Sequence, residues 1–235
     1  MSSSPLPDAS RLLWSKTSSQ DRRPPLSHDK IARTAIGIAD AEGLDAVSMQ
    51  RIAADLGFTK MALYRHVSNK AELLAIMIDI AVGEPPAVSA VPGGWRPRTE
   101  HLLQCLAETW SRHPWLLGAT VGERPMGPNE VAWTDRAVQA LSGTGLGGDE
   151  RLATAFILFA HIRNTQSIAT AGTQPWASGG RFAPTLTELL HSRRDEFPAL
   201  AEAVSGGADA LTDNARRFGL DRILDGLAAL IAQRT

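Results

Sequence analysis

The chain has 235 residues, 24 Lys+Arg against 25 Asp+Glu, and a 43% hydrophobic share, a composition that supports a globular core. Its single cysteine, Cys105, excludes an intramolecular disulfide and a multi-cysteine metal or cluster site, and it fits a reducing compartment such as the cytoplasm. The longest apolar run, Ala155 to Ala160, is far short of the roughly 20 residues of a membrane helix, and the near-zero net charge gives no whole-chain hint of a nucleic-acid partner.

Residues 1–26 are rich in Ser, Pro, Asp and Arg without sustained periodicity, and they read as a mobile tail with no signal peptide. Ser27 then caps a first helix whose Ile31, Ala35, Ile38 and Ala39 recur at helical spacing, and Gly43 ends it. Ser48 caps a short second helix that is stopped by Gly57. Thr59 caps a third running to about Val67, and Asn69 with Glu72 forms a cap pair for a fourth through Val82. A Gly/Pro-rich linker follows, bracketed by Gly83-Glu84-Pro85-Pro86 and Pro92-Gly93-Gly94.

Further helices are expected near 96–112, 114–120, 128–142, 149–171, 184–192 and 209–233, with a loop at 172–183. No alternating run is long enough for a sheet, so the fold class is all-α. The first half of 149–171 is apolar almost all round, which predicts a buried helix. In 209–233 a broad face of Leu220, Ile223, Leu224, Leu227, Leu230 and Ile231 must pack on the same chain or on a second copy. Charge divides along the same line. Residues 1–82 hold 10 basic and 9 acidic side chains, residues 83–235 hold 14 and 16, and all four lysines lie within the first 70 residues.

Ser48–Val67 is the specific part of the sequence. Two short helices joined by a tight turn make a helix-turn-helix, whose second helix enters the major groove. Ile52, Leu56 and Leu63 face inward, Ala53 is small where the helices cross, and Gly57 permits the turn. Lys60, Met61, Tyr64 and Arg65 then point outward, with Thr59 and His66 at the ends. Cations, hydroxyls and imidazoles suit phosphates and base edges. Spacing alone leaves open a small packing unit with a solvated polar face.

Residues 27–82 resemble the N-terminal DNA-binding domain of the tetracycline-repressor (TetR) family of transcription regulators. The resemblance rests on Met61-Ala62-Leu63-Tyr64-Arg65-His66-Val67-Ser68-Asn69-Lys70-Ala71-Glu72-Leu73-Leu74 and on Ala41-Glu42-Gly43-Leu44-Asp45-Ala46-Val47-Ser48. A weaker resemblance, carried by Gly122-Glu123-Arg124-Pro125 and by Phe218 to Leu224, extends to the C-terminal domain of the tetracycline-repressor branch. It implies a DNA-binding domain at 27–82 and a ligand-binding and dimerisation domain at 95–235. The implied DNA contacts are Gln50, Thr59, Lys60, Ala62, Tyr64, Arg65, His66 and Lys70, with Lys70 on a phosphate. Arg22 and Arg23 are either a minor-groove arm or part of a solvated tail. The family's mode of action implies a homodimer through 149–171 and 209–233, a roughly palindromic operator on double-stranded DNA, and release by a small molecule. A regulator that activates, or that answers to a protein partner, is the alternative.

For the small molecule, the interleaved aromatic and polar residues of the C-terminal region point to Met77, Trp110, His113, Trp115, Arg124, Trp133, Phe156, Phe159, Arg163 and Gln166. Ordinary core packing explains aromatics at these positions equally well. The family's tetracycline–magnesium chemistry uses a histidine at the end of helix 4. Here that end reads Val82-Gly83-Glu84-Pro85-Pro86, so neither a bridging metal nor any cofactor is expected. Gly143-Thr144-Gly145-Leu146-Gly147-Gly148 matches G-x-G-x-x-G but follows a helical segment, which makes it an interhelix loop. The six histidines show no metalloprotease spacing and no G-x-S-x-G occurs, so no enzyme is expected.

Overall fold

The protein was described from a computed structural model covering residues 26–170, 176–178, 181–205 and 211–234. The predicted tail, with Arg22 and Arg23, and parts of the predicted 172–183 loop lie outside these residues. The described residues form α1 (His28–Glu42), α2 (Met49–Leu56), α3 (Lys60–Tyr64), α4 (Lys70–Val82), α5 (Trp95–Arg112), α6 (Leu116–Ala119), α7 (Pro128–Ala140), α8 (Gly148–Ala169), α9 (Pro184–Ser192), α10 (Pro198–Ser205) and α11 (Leu211–Ala232). The architecture is all-α. One two-residue antiparallel pairing, β1 (Ala177–Ser178) with β2 (Arg181–Phe182), replaces part of the expected loop.

The helix starts follow from the predicted caps. Ser27 Oγ accepts from the Lys30 N–H, Ser48 Oγ from Arg51 N–H and Thr59 Oγ1 from Ala62 N–H, each at 3.2 Å. Asn69 Oδ1 accepts from Glu72 N–H at 2.9 Å, while the Glu72 carboxylate accepts from Ser68 N–H at 2.6 Å. Each bond satisfies a donor that a helix start leaves open, worth about 1 kcal/mol. Gly57 ends α2 in the left-handed region, φ 71°, as the tight turn requires. The third helix is shorter than predicted: it ends at Tyr64, and Arg65 is its C-cap. Helix α10 was not predicted; its Ala- and Leu-rich run before Gly206-Gly207 is the signal that periodicity alone overlooks.

The chain divides into two compact units. The first holds the described residues up to Ala87 together with Glu108–Arg136. Its core is α1 packed on α4, with Ile31, Ala35, Ile38, Leu73, Ile76 and Ile78 buried, and α2 and α3 against them through Ile52 and Leu63. The second holds Val88–Ala107 and the residues from Ala137 onward. There α8 packs on α11 through Leu158, Ile162, Leu224 and Ile231. The Gly143–Gly148 motif lies between α7 and α8, as an interhelix loop. The expectation that the first half of 149–171 is buried is corrected: Leu152, Phe156 and Ile157 are exposed, because α11 and β1 pack on other sides of α8 and leave these side chains open among the described residues.

Helix α7 takes its cap from another helix. Its N-cap, Gly127, accepts the first helical bond from Val131 N–H but has no side chain to cap with. Asp79, in the last turn of α4, supplies the missing oxygen: its Oδ1 accepts from Asn129 N–H at 2.8 Å and Glu130 N–H at 3.3 Å. Asn129 Nδ2 returns a bond to the Asp79 carbonyl at 2.9 Å. A Cβ on Gly127 would lie 2.1 Å from the Asp79 carboxylate oxygen. Gly127→Ala therefore displaces the cap, at a cost of about 1–2 kcal/mol, which lowers the melting temperature by roughly 2–8 °C. Gly118→Ala, where a Cβ meets nothing within 4 Å, is the control and leaves it unchanged or raises it. Differential scanning calorimetry of the two variants distinguishes these outcomes.

Candidate nucleic-acid interface

The predicted reading residues lie on α2, on and beside α3, and at the start of α4, all in the first unit. Ile52, Ala53, Leu63 and Val67 are buried, with α2 packed on α1 and α3 on α2, which leaves the opposite sides of both short helices outward. Gln50, Thr59, Lys60, Tyr64, Arg65 and Lys70 are exposed, and Ala62 and His66 are half-buried. The His66 ring meets the His28 ring edge-on, centroids 5.6 Å apart, which sets the N-terminus of α1 beside the end of α3.

Charge partners separate the cations into two sets. Arg51 bonds Glu42 at 2.8 Å and Asp55 at 3.2 Å, and Arg33 bonds Asp29 at 2.9 Å, so both are spent within the fold. Among the described residues Lys60, Arg65 and Lys70 have no such carboxylate partner. Uncommitted cations on an outward helix face are what phosphate and base contacts need. Met61, 72% exposed beside Tyr64, was placed outward by the spacing without a role. An exposed apolar side chain there fits contact with a thymine methyl in the major groove.

The ten candidate ligand residues are divided between the two units. Met77, Trp110, His113, Trp115, Arg124 and Trp133 lie in the first unit; Phe156, Phe159, Arg163 and Gln166 lie in the second. Four of the first six carry polar groups that bond within the first unit. His113 Nδ1 and Trp115 Nε1 meet Asp40 Oδ1 at 2.8 and 2.7 Å, and Trp133 Nε1 donates to the carbonyls of Val82 and Gly83. Arg124 forms a two-pronged pair with buried Glu130 at 2.5 and 2.8 Å. Met77 and Trp110 are core residues. In the second unit Gln166 is buried, Phe159 and Arg163 are half-buried, and Phe156 lies on the uncovered face of α8. A cavity of about 730 Å³, lined by Phe182, Leu190, Ala201, Val204, Arg181, His191 and Arg194 among others, contains none of the ten. Among the described residues no three His, Cys, Asp or Glu side chains gather as a metal site, and no helix is long and apolar enough to cross a membrane.

The fold and this face define a helix-turn-helix DNA-binding protein. Residues 31–77 match "Bacterial regulatory proteins, tetR family", and residues 89–231 match "Tetracyclin repressor-like, C-terminal domain". The chain is 32% identical over 235 residues to the HTH-type transcriptional repressor DrrR1 of Streptomyces coeruleorubidus, covering 95% of this chain and 86% of that protein. It is similar to the TetR family protein ActR of Streptomyces coelicolor in its apo form, with TM-score 0.73, 29% identity, and 91% and 100% of the two chains covered. It is similar also to ActR in complex with actinorhodin, with TM-score 0.72, 29% identity, and 88% and 99% covered. The protein belongs to the TetR family of transcriptional regulators.

Two carboxylates respond to pH with opposite sign. Burial pushes the Asp79 carboxyl up, an effect the N–H groups of Asn129 and Glu130 oppose and the Glu130 charge reinforces. The Arg234 guanidinium and the Gly147 N–H hold Glu150 down at about 2. Glu150 therefore contributes stability above the ordinary carboxylate range and loses it as the pH falls toward 2. Asp79 contributes most below the ordinary carboxylate value and loses that contribution as the pH rises through its own raised one. Asp79→Asn keeps an acceptor oxygen and removes the buried charge. Its melting temperature relative to the parent should rise between pH 4 and pH 7; a constant or falling difference contradicts the sign.

Proposed function

We propose that the protein is a homodimeric repressor that reads a roughly palindromic operator and is released from it by a small molecule. The observation that carries the DNA reading is the outward set of Gln50, Lys60, Tyr64, Arg65 and Lys70, whose three cations are left without carboxylate partners among the described residues while neighbouring arginines are paired. Arg65, Lys60 and Tyr64 select bases, with Thr59, Ala62 and His66 alongside. Lys70, at the N-terminus of α4, holds a phosphate with help from the positive end of that helix.

The dimer reading is supported by the uncovered apolar face. Leu152, Phe156 and Ile157 of α8 and Phe218 and Leu230 of α11 are exposed on the two helices of the second unit that pack together. A patch of large apolar side chains on one face marks an interaction surface, and a two-fold interface uses the same patch on both copies. The small-molecule reading is supported by the similarity to ActR, which was solved with actinorhodin and with (S)-DNPA. In the second unit α8 carries the candidate contacts Phe159, Arg163 and Gln166.

Three outcomes test this. With a duplex selected by the protein from a random library, Lys70→Ala weakens binding about equally on all sequences and reduces the salt slope by about 1. Arg65→Ala instead relaxes the preference at one base position by about 1–3 kcal/mol; an unchanged preference contradicts its base-reading role. In analytical ultracentrifugation the pair Phe156→Asp with Ile157→Asp sediments as a monomer, whereas a variant that stays dimeric contradicts the proposed interface.

A further inference from the structure

We propose that Asp40 and Asp79 are positioning residues for DNA recognition: their carboxylates fasten the far ends of α1 and α4 to residues 113–130 and so fix the aim of the recognition helix. The proposal rests on the dimeric, DNA-reading function above. It concerns the spacing between two reading heads rather than the bases each one reads.

Both helices run away from the reading face. The N-terminus of α1 sits at α3 through the His28–His66 contact, and the N-terminus of α4 follows α3 directly after Ser68. Near their other ends α1 carries Asp40, besides the Glu42 that pairs with Arg51, and α4 carries Asp79. Asp40 accepts from the Trp115 indole N–H at 2.7 Å and meets His113 Nδ1 at 2.8 Å; Asp79 caps α7. A third bond, from Trp133 Nε1 to the carbonyls at the end of α4, reinforces the fastening by Asp79.

The geometry makes these fastenings consequential. Thirteen positions from His28 to Asp40, and eleven from Asn69 to Asp79, correspond to roughly 15–18 Å of helix. A tilt of about 10° at the fastened end moves the reading end by about 3 Å, which is close to the ~3.4 Å rise of one base pair. Residues 108–136 continue covalently at both ends, through α5 and α7, into segments of the second unit, which carries the proposed dimer face. Loss of an acceptor therefore loosens the register between the two heads of a dimer. It leaves the side chains that meet the bases untouched.

The test uses the full chain and the selected duplex, together with versions carrying one base pair more or fewer between the half-sites. The parent protein should lose about tenfold or more in affinity when the spacing changes. Asp79→Ala should cut that discrimination to about threefold or less while keeping the half-site sequence preference. Asp79→Asn, which retains an acceptor oxygen, should restore it; a role confined to stability would not move the spacing preference in this way. Asp40→Ala and Trp115→Phe test the second fastening at a more exposed site and supply the answer even where Asp79→Ala does not fold. Parent-like spacing discrimination in Asp79→Ala, or in both variants of the second fastening, overturns the proposal. A parent protein indifferent to spacing overturns instead the dimeric reading on which it rests.

Discussion

A carboxylate from one helix caps the start of another, and the first unit is organised around that bond. Helix α7 begins with Gly127 and Pro128, neither of which can donate or accept through a side chain, so its open N–H groups need an oxygen from elsewhere. Asp79 provides it from the last turn of α4. Burying that charge is unfavourable by itself, and the raised proton affinity of Asp79 records the cost. The bonds from Asn129 and Glu130 and the pairing of Glu130 with Arg124 offset it. Gly127 is then required by space: any side chain there would occupy the position of the carboxylate.

This arrangement explains why residues 108–136 fold with the helix-turn-helix and not solely with the later helices. The fastenings at Asp40 and Asp79 join elements about 50 to 75 positions apart in sequence. Trp115, Trp133, His113 and Arg124, whose residue types also suit a ligand site, form bonds that hold α1, α4 or the start of α7.

Local chemistry was legible in the sequence. Ser27, Ser48, Thr59 and Asn69 cap helices because a short side-chain oxygen before an apolar-periodic run has one efficient use, and Gly57 turns the chain because the left-handed region costs it nothing. The outward placement of Lys60, Tyr64 and Arg65 followed from Ile52 and Leu63 facing in. What could not be read were facts that depend on long-range partners. The exposed face of α8 looked buried because apolar residues all round a helix do not say whether the second cover is the same chain or another copy. Asp40 and Asp79 carried no local signal, since an acidic residue near a helix C-terminus ordinarily opposes the helix dipole. The one clue is the Gly-Pro start of α7, which has no capping side chain of its own.

The central claim is that two copies of the α2–α3 face read one duplex. A hydroxyl-radical footprint of the protein on the duplex it selects tests this most directly. Two protected segments related by a two-fold axis are expected, their centres about one helical turn, ~34–36 Å, apart. A single asymmetric protected segment, or protection spread evenly along the duplex, would contradict it.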